Sequence, residues 1–237
     1  MMLPVVVLAG GLATRLAGLS SRIPKALVRI AGRPFAYHQL DLLRRQGAER
    51  VVFCLGHFAE QIVAAVGDGT AFGLKVEYSF DGGQPLGTGG AVLRALPGLG
   101  DEFIVLNGDS YLPFVSLGSL TSAYLEARCP ALMAIVRNEN RWDRSNVSLR
   151  DGEIVEYIKR TDRIDLSYID CGVSVLSRRM FSPYSKAKGL DLSDIFRNLS
   201  LTGQLAAMQM PQRFFEVGSV QGIADLENFI RSQESIS

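Results

Sequence analysis

The sequence is short of the features that mark several protein classes. Cysteine is scarce and unpaired: Cys54, Cys129 and Cys171 form an odd, scattered set with no C-x-x-C spacing. This pattern fits buried thiols in a reducing cytoplasm rather than a disulfide framework. Net charge is almost absent, with 25 Lys plus Arg against 24 Asp plus Glu, so no global field draws the chain to nucleic acid or to a membrane. Any anionic ligand has to be held by local charge. No uninterrupted apolar run approaches the roughly 18 residues that would span a bilayer. Met1–Leu8 is apolar but has neither a basic leader nor a cleavage site, and Gly10, Gly11 and Arg15 interrupt the run beyond it, so it does not read as a signal peptide. A soluble, cytoplasmic protein is expected. Repeats, low-complexity tracts and composition shifts that would mark a linker are also missing. The 237 residues therefore read as one large domain with a smaller lobe.

What is present alternates in type. Val5–Leu8 is too short for a helix and β-branched enough for a central strand of a parallel sheet. Phe35, Leu40, Leu42 and Leu43 then follow a helical rhythm that Gly47 ends, and Val51–Leu55 reads as the next strand. Phe58, Ile62, Val63 and Val66 fall at helical spacing, and Leu74, Val76, Tyr78 and Phe80 alternate with polar residues as in a half-exposed strand. A second glycine-rich stretch, Gly82–Gly90, precedes a short helix over Ala91–Leu96, and the apolar run Phe103–Leu106 ends in Asn107-Gly108-Asp109. This β-then-α order predicts an α/β fold with a doubly wound, mostly parallel sheet. The second half is more mixed. It reads as a helix around Leu117–Tyr124, strands at Ala131–Val136 and Cys171–Leu176, and a hairpin over Asn146–Ile158 turning at Asp151-Gly152. Further on come a helix near Ser193–Leu199, strands at Leu205–Met210 and Phe214–Val217, and a last helix capped by Ser219. Residues 1–115 are expected to hold mainly a nucleotide and 116–237 mainly a second substrate.

The chemistry begins where the first strand ends. Ala9, Gly10 and Gly11 allow a sharp turn and a close approach of backbone N–H groups to an anion. The spacing is neither G-x-x-x-x-G-K-[ST] nor G-x-G-x-x-G, which disfavours an ATPase loop and a dinucleotide fold. Arg15 offers a planar fork of donors and Lys25 a point charge, a pair suited to several phosphate oxygens, although a glycine turn beside two surface cations has the same appearance. Asp109 ends a strand, as the Gly10-Gly11 loop does, and in open α/β sheets such ends face one crevice. A carboxylate beside a polyphosphate is suited to Mg²⁺, and Glu216 is a second candidate ligand. His38 falls on a helical stretch and His57 in the turn after Leu55, so neither reads as a catalytic group.

The runs LAGGLATRL, PKALVRIAGRPF, PLGTGGA, VLNGD and FFEVGS, in that order along nearly the whole chain, resemble the sugar-1-phosphate nucleotidylyltransferase family. The likeness is greatest to its short heptose-1-phosphate guanylyltransferases and N-acetylmuramate-1-phosphate uridylyltransferases. The resemblance implies a Rossmann-like nucleotidyltransferase fold and an enzyme joining an NTP and a sugar 1-phosphate into an NDP-sugar with release of pyrophosphate. It implies catalytic roles for Arg15 and Lys25, and a metal role for Asp109 and Glu216 with Mg²⁺. Nucleotide contacts fall on Leu8, Ala9, Gly10, Gly11, Thr14, Gln84, Gly87, Thr88, Gly89 and Gly108. Sugar-phosphate contacts fall on Lys159, Asp170 and Gly172.

Four positions depart from the family pattern. Ala13 replaces a loop glycine, Ile158 a glutamate, Asp170 an asparagine and Glu216 an aspartate. The departures leave two rival readings in view: a cytidylyltransferase acting on an alcohol phosphate such as phosphocholine, with Trp142 as a face for a quaternary ammonium, and a silent sugar-nucleotide sensor. A sugar 1-phosphate oxygen is already anionic near neutral pH, so attack on the α-phosphate needs no protein base. Catalysis would then rest on positioning and charge neutralisation. The identity of base and sugar, and whether the chain forms homo-oligomers, are not legible.

Overall fold

The computed structural model describes residues 2–11, 23–159, 161–185, 187 and 189–234. Its first half runs β1 (Val5–Leu8), β2 (Arg29–Ile30), β3 (Arg33–Pro34), α1 (Phe35–Arg45), β4 (Arg50–Leu55), α2 (Ala59–Val66), β5 (Lys75–Phe80), α3 (Thr88–Ala95), β6 (Glu102–Asn107) and β7 (Ser110–Tyr111). The second half continues with α4 (Leu117–Ala127), β8 (Ala131–Arg137), β9 (Val147–Arg150), β10 (Glu153–Tyr157), β11 (Tyr168–Ser177), α5 (Leu192–Leu201), β12 (Leu205–Met210), β13 (Phe215–Glu216) and α6 (Val220–Glu234). No described helix is long and apolar enough to cross a membrane.

The expected α/β architecture is present. Strands β6, β1, β4 and β5 lie side by side and parallel, and β11 joins antiparallel to β6. Strands β9 and β10 continue the sheet beyond β11, while β8 and β12 attach to it from β11. The second half thus extends the first half's sheet through β11. The apolar strands are buried on both faces. Val5, Val7, Val51, Phe53 and Leu55 point to a layer that includes Leu40 and Leu43 of α1, Ile62 of α2 and Leu120 of α4. Val6, Val52 and Cys54 point to the opposite layer, with Val92 of α3 and Phe196 of α5. Burial on both faces is why these strands read as continuous apolar runs rather than alternating ones. Leu226 and Ile230 of α6 close a smaller core with Phe35 and Phe215. Cys54 and Cys171 are buried and free, and Cys129 is partly buried and free.

The connectivity places the site. From β1 the chain steps outward to β4 and β5, then returns by way of α3 to β6 on the other side of β1. The crevice at that reversal lies outside the carboxyl ends of β1 and β6. The two ends touch: the Gly108 N–H donates to Leu8 O at 3.1 Å. A Cβ at Gly108 would stand 2.4 Å from that oxygen and 2.9 Å from Ala9 Cα. Backbone has little room to yield, so Gly108→Ala is expected to cost about 1–3 kcal/mol. A urea midpoint unchanged from the parent would show that the strand ends can separate freely.

Candidate functional site

Asp109 follows directly on Gly108, and a short ribbon brings its partner to it. Strand β13 pairs antiparallel with β7, with Glu216 opposite Ser110, and the Val217 N–H donates to Asp109 O at 2.9 Å. Two carboxylates 107 positions apart in sequence are thereby set beside each other across Gly218. A Cβ on that glycine would lie 2.5 Å from Glu216 Oε2, 3.3 Å from Lys25 Nζ and 3.5 Å from Asp109 Oδ2. Lys25 begins a single helical turn over Lys25–Leu27, and its Nζ donates to Asp109 Oδ2 at 3.0 Å. The lysine side chain is only 16% exposed and the aspartate 32%, so the pair is partly withdrawn from water.

Glu216 has a second attachment. Its Oε2 accepts the Gly218 N–H and its Oε1 accepts the Ser219 hydroxyl, which in turn accepts the Gly222 N–H at 2.9 Å. The carboxylate thus sits at the start of α6, where a negative charge meets unpaired backbone donors. Each carboxylate oxygen has two acceptor sites, so these bonds leave Glu216 able to ligate. Two carboxylates around a bare glycine, one of them already holding a lysine ammonium, are a donor set that fits a hard divalent ion also held by phosphate oxygens.

The nucleotide-side residues divide into three groups. Leu8, Ala9 and Gly10 end β1 at the crevice, and the Ala9 N–H is held by Cys54 O at 3.0 Å. Gly10 packs on Gly56 at the end of β4: a Cβ there would be 3.0 Å from Gly56 N. Gly11 faces open space and Gln84 is exposed. Thr14 and Arg15, with Ala13, lie outside the described residues. The stretch Gly87–Gly89 differs from expectation, because helix α3 starts at Thr88 rather than at Ala91. Its first donors are already engaged, with the Gly89 and Gly90 N–H groups bonded to Leu190 O at 2.9 and 3.0 Å. The glycines are needed there to admit another stretch of backbone.

On the other side of the crevice, β11 runs antiparallel to β6, with Val173 opposite Leu106. Its leading residues therefore enter at the carboxyl end of β6. Gly172, at φ +80, packs on the Asp109 loop: a Cβ would be 2.5 Å from Ser110 Oγ and 2.8 Å from Asn107 Nδ2. The Asp170 carboxylate accepts the Gly172 N–H at 2.7 Å, while the Asp170 N–H donates to Asn146 Oδ1 at 2.9 Å. Asn146 O also accepts the Ile158 N–H, tying β11 to the strand end that carries Lys159. Burial pushes the Asp170 carboxyl up to about 6, against the lowering effects of the Gly172 N–H, the Tyr157 hydroxyl and the Lys159 charge. Burial likewise raises the Tyr157 phenol, and the Asp170 and Asp191 charges add to it. Lys159 Nζ is bonded to Asp191 Oδ2 at 2.5 Å.

Three groups near the site were not legible in the sequence. Asp81, after β5, presents Oδ2 3.6 Å from the Cβ position of Gly10 and is raised by burial. Asn146 and Asp191 are the others, and no sequence motif distinguishes them from loop and cap residues. Neither histidine is shown bonded to the carboxylates or lysines of the site. His38 Nε2 is paired with Ile30 O at 2.8 Å on buried α1, and His57 packs edge-on against Phe58. One face of Trp142 is already covered, because the Arg213 guanidinium lies 5.3 Å from its centroid and 4.9 Å from that of Phe215. Arg213 also pairs with Asp225 at 2.9 Å. The phosphocholine reading is not favoured by a ring already seated against a cation.

Comparison with known proteins bears on the family and the fold. Residues 5–200 match the model of the MobA-like NTP transferase domain. The chain is 42% identical over 108 residues to a glucose-1-phosphate thymidylyltransferase of Streptomyces griseus, of whose length it spans only 30%. It is 25% identical to an N-acetylmuramate alpha-1-phosphate uridylyltransferase of Neisseria meningitidis, over 91% of this chain and 93% of that one. The crystal structure of HddC from Yersinia pseudotuberculosis complexed with GMP-PN superposes with a TM-score of 0.83 at 26% identity, covering 97% of this chain and 100% of the other.

The raised Asp170 carboxyl has a consequence for stability. The folded state holds its proton up to about pH 6 while the unfolded chain releases it near 4, so the stability this group contributes is complete below about pH 4 and is lost as pH rises through 6. Asp170→Asn removes that loss. The variant is expected to be about 1–2 kcal/mol more stable than the parent at pH 8, with the gain gone by pH 4. Urea unfolding at both pH values checks it, and a gain that is the same at both would refute the cause.

Proposed function

Because this chain belongs to the MobA-like NTP transferase family, we propose that it transfers the nucleotidyl group of an NTP to a sugar 1-phosphate, giving an NDP-sugar and pyrophosphate. The observation that carries the reading is the convergence of Asp109, Glu216 and Lys25 on Gly218 at the carboxyl end of β6, with Lys159 held on the far side of the crevice. The β1 loop, with Thr14 and Arg15, is assigned to the NTP phosphates. Lys159, Asp170 and Gly172 are assigned to the sugar phosphate.

The reaction needs little acid–base chemistry. An anionic oxygen of the sugar 1-phosphate attacks the α-phosphorus. The new P–O bond forms as the bond from the α-phosphorus to the bridging oxygen breaks, and that oxygen leaves with pyrophosphate, carrying the electron pair. No proton has to move before attack, so the reading needs no catalytic histidine. A divalent ion, Mg²⁺ in this reading, supplies charge neutralisation on the phosphates when bound, and Asp109 and Glu216 are the residues that would hold it. Lys25, which now pairs with Asp109, would then be available to a phosphate oxygen. The chain's own work is to hold the two anions in line and offset their repulsion.

The test is a panel of four NTPs against sugar 1-phosphates, read by pyrophosphate release. Turnover with at least one pair is expected, and none with any pair would refute the proposal. With an active pair in hand, Asp109→Asn should abolish turnover while leaving the far-ultraviolet circular dichroism unchanged. For Lys25→Ala the loss should be about 10²–10³ in rate at saturating NTP. A rate equal to the parent's would reduce Lys25 to a counter-charge for Asp109.

A further inference from the structure

The Leu190–Ser193 segment lies between the two halves of the site and touches both. Asp191 is its centre. Oδ1 accepts the Thr88 hydroxyl at 2.9 Å, and Oδ2 accepts Lys159 Nζ at 2.5 Å. Thr88 stands in the glycine stretch assigned to the nucleotide and Lys159 is assigned to the sugar phosphate. One carboxylate therefore joins a residue 103 positions before it to another 32 positions before it.

Capping explains only part of this arrangement. Asp191 is the N-cap of α5, and Oδ1 accepts the Ser193 N–H at 3.0 Å. A cap needs one acceptor, which serine or asparagine would supply equally well. The second oxygen, the ammonium on it and the Thr88 hydroxyl lie outside that requirement. Thr88 is itself fixed from both sides, donating to Asp191 and accepting the Leu192 N–H at 2.9 Å. The backbones are in contact as well: a Cβ at Gly87, where φ is +79, would meet Leu190 O at 2.4 Å. Displacement of the α3 start in either direction is carried directly to residues 190–192.

The electrostatics suit a lasting bridge. Burial raises the Asp191 carboxyl, but the Lys159 ammonium, the Ser193 N–H and the Thr88 hydroxyl outweigh it and hold its pKa at about 2. The carboxylate is charged at any working pH. An ammonium has three donors, so Lys159 can keep one on Asp191 and turn two toward a phosphate.

We infer that Asp191 is a positioning residue that couples the two substrate subsites, holding Lys159 in its phosphate-binding place through the bridge to Thr88. The inference rests on the proposed nucleotidyl transfer. A nucleotide seated against Thr88 reinforces the bridge that holds Asp191 and Lys159, so sugar 1-phosphate binds more tightly with NTP present than without it. By thermodynamic reciprocity the NTP gains the same factor from the sugar phosphate.

The test measures that factor by calorimetry. The probes are the α,β-methylene analogue of the NTP and the sugar 1-phosphate that turn over in the panel, each titrated alone and in the presence of the other. The parent is expected to bind sugar 1-phosphate at least tenfold more tightly with the analogue present. In Asp191→Asn, which keeps an acceptor for Ser193 but loses the charge, the factor should fall below about twofold, with kcat down by roughly 10–100-fold. Thr88→Val removes the nucleotide side of the bridge, and with it the acceptor for the Leu192 N–H, and should lower the factor likewise while Lys159 keeps its bond to Asp191. It also decides the matter if the Asp191 variant does not fold. Asp191→Glu should restore part of the coupling. A cap and nothing more would lower the melting temperature of Asp191→Asn and leave the coupling at its parental value. That result, or a parent that turns over without coupling, overturns the inference while the functional reading stands. A parent inert with every pair removes both.

Discussion

The site depends on one close approach of backbone. Strands β1 and β6 end against each other with the Gly108 N–H on Leu8 O and no space for a side chain between them. This contact puts the start of the Gly10-Gly11 loop and Asp109 together at the carboxyl ends of two neighbouring strands. Two further glycines bring the remaining parts as near. Gly172 lets β11 lie on the Asp109 loop, and Gly218 lets the Glu216 turn close over it. The chemistry-bearing side chains are long or charged, but the distances among them are set where side chains are missing.

The charges follow a shared pattern. Each lysine assigned to a phosphate is already paired with a carboxylate, Lys25 with Asp109 and Lys159 with Asp191. Pairing keeps a partly buried ammonium from lying without a counter-charge, and it holds a flexible side chain near its working position before substrate arrives. The two pairs are not equivalent. In the proposed reaction Asp109 would change partner, a divalent ion taking the place of the lysine. Asp191 is fixed by Thr88 and Ser193 and stays where it is. One pair is arranged for exchange and the other for retention.

Legibility differed with the range of the interactions concerned. The strands buried on both faces, the hairpin at Asp151-Gly152 and the cap at Ser219 are local matters of apolar runs and turn chemistry, and they stand where the periodicity puts them. The shared crevice for Gly10 and Asp109 was also legible, since it follows from the winding rule for open sheets. The Gly87–Gly89 stretch was harder. Its glycines read as room for a ligand, whereas in the fold they admit Leu190. Asp191 is the N-cap of α5. Its second and third partners come from separate elements, and no spacing in the sequence records them.

The sequence by itself determined the α/β class, the order of its elements and the chemical types gathered at the site: a glycine loop, two lysines and two carboxylates. These depend on local propensity, on hydrophobic period and on which functional groups can hold phosphate. Tertiary structure alone decided which of them meet. The pairing of β7 with β13 set Glu216 beside Asp109, the antiparallel entry of β11 delivered Asp170 and Gly172, and the packing of residues 190–193 on α3 tied Thr88 to Lys159. Such contacts join positions tens to over a hundred residues apart, and their geometry is fixed by backbone approach and strand register, for which the order of amino acids has no local sign.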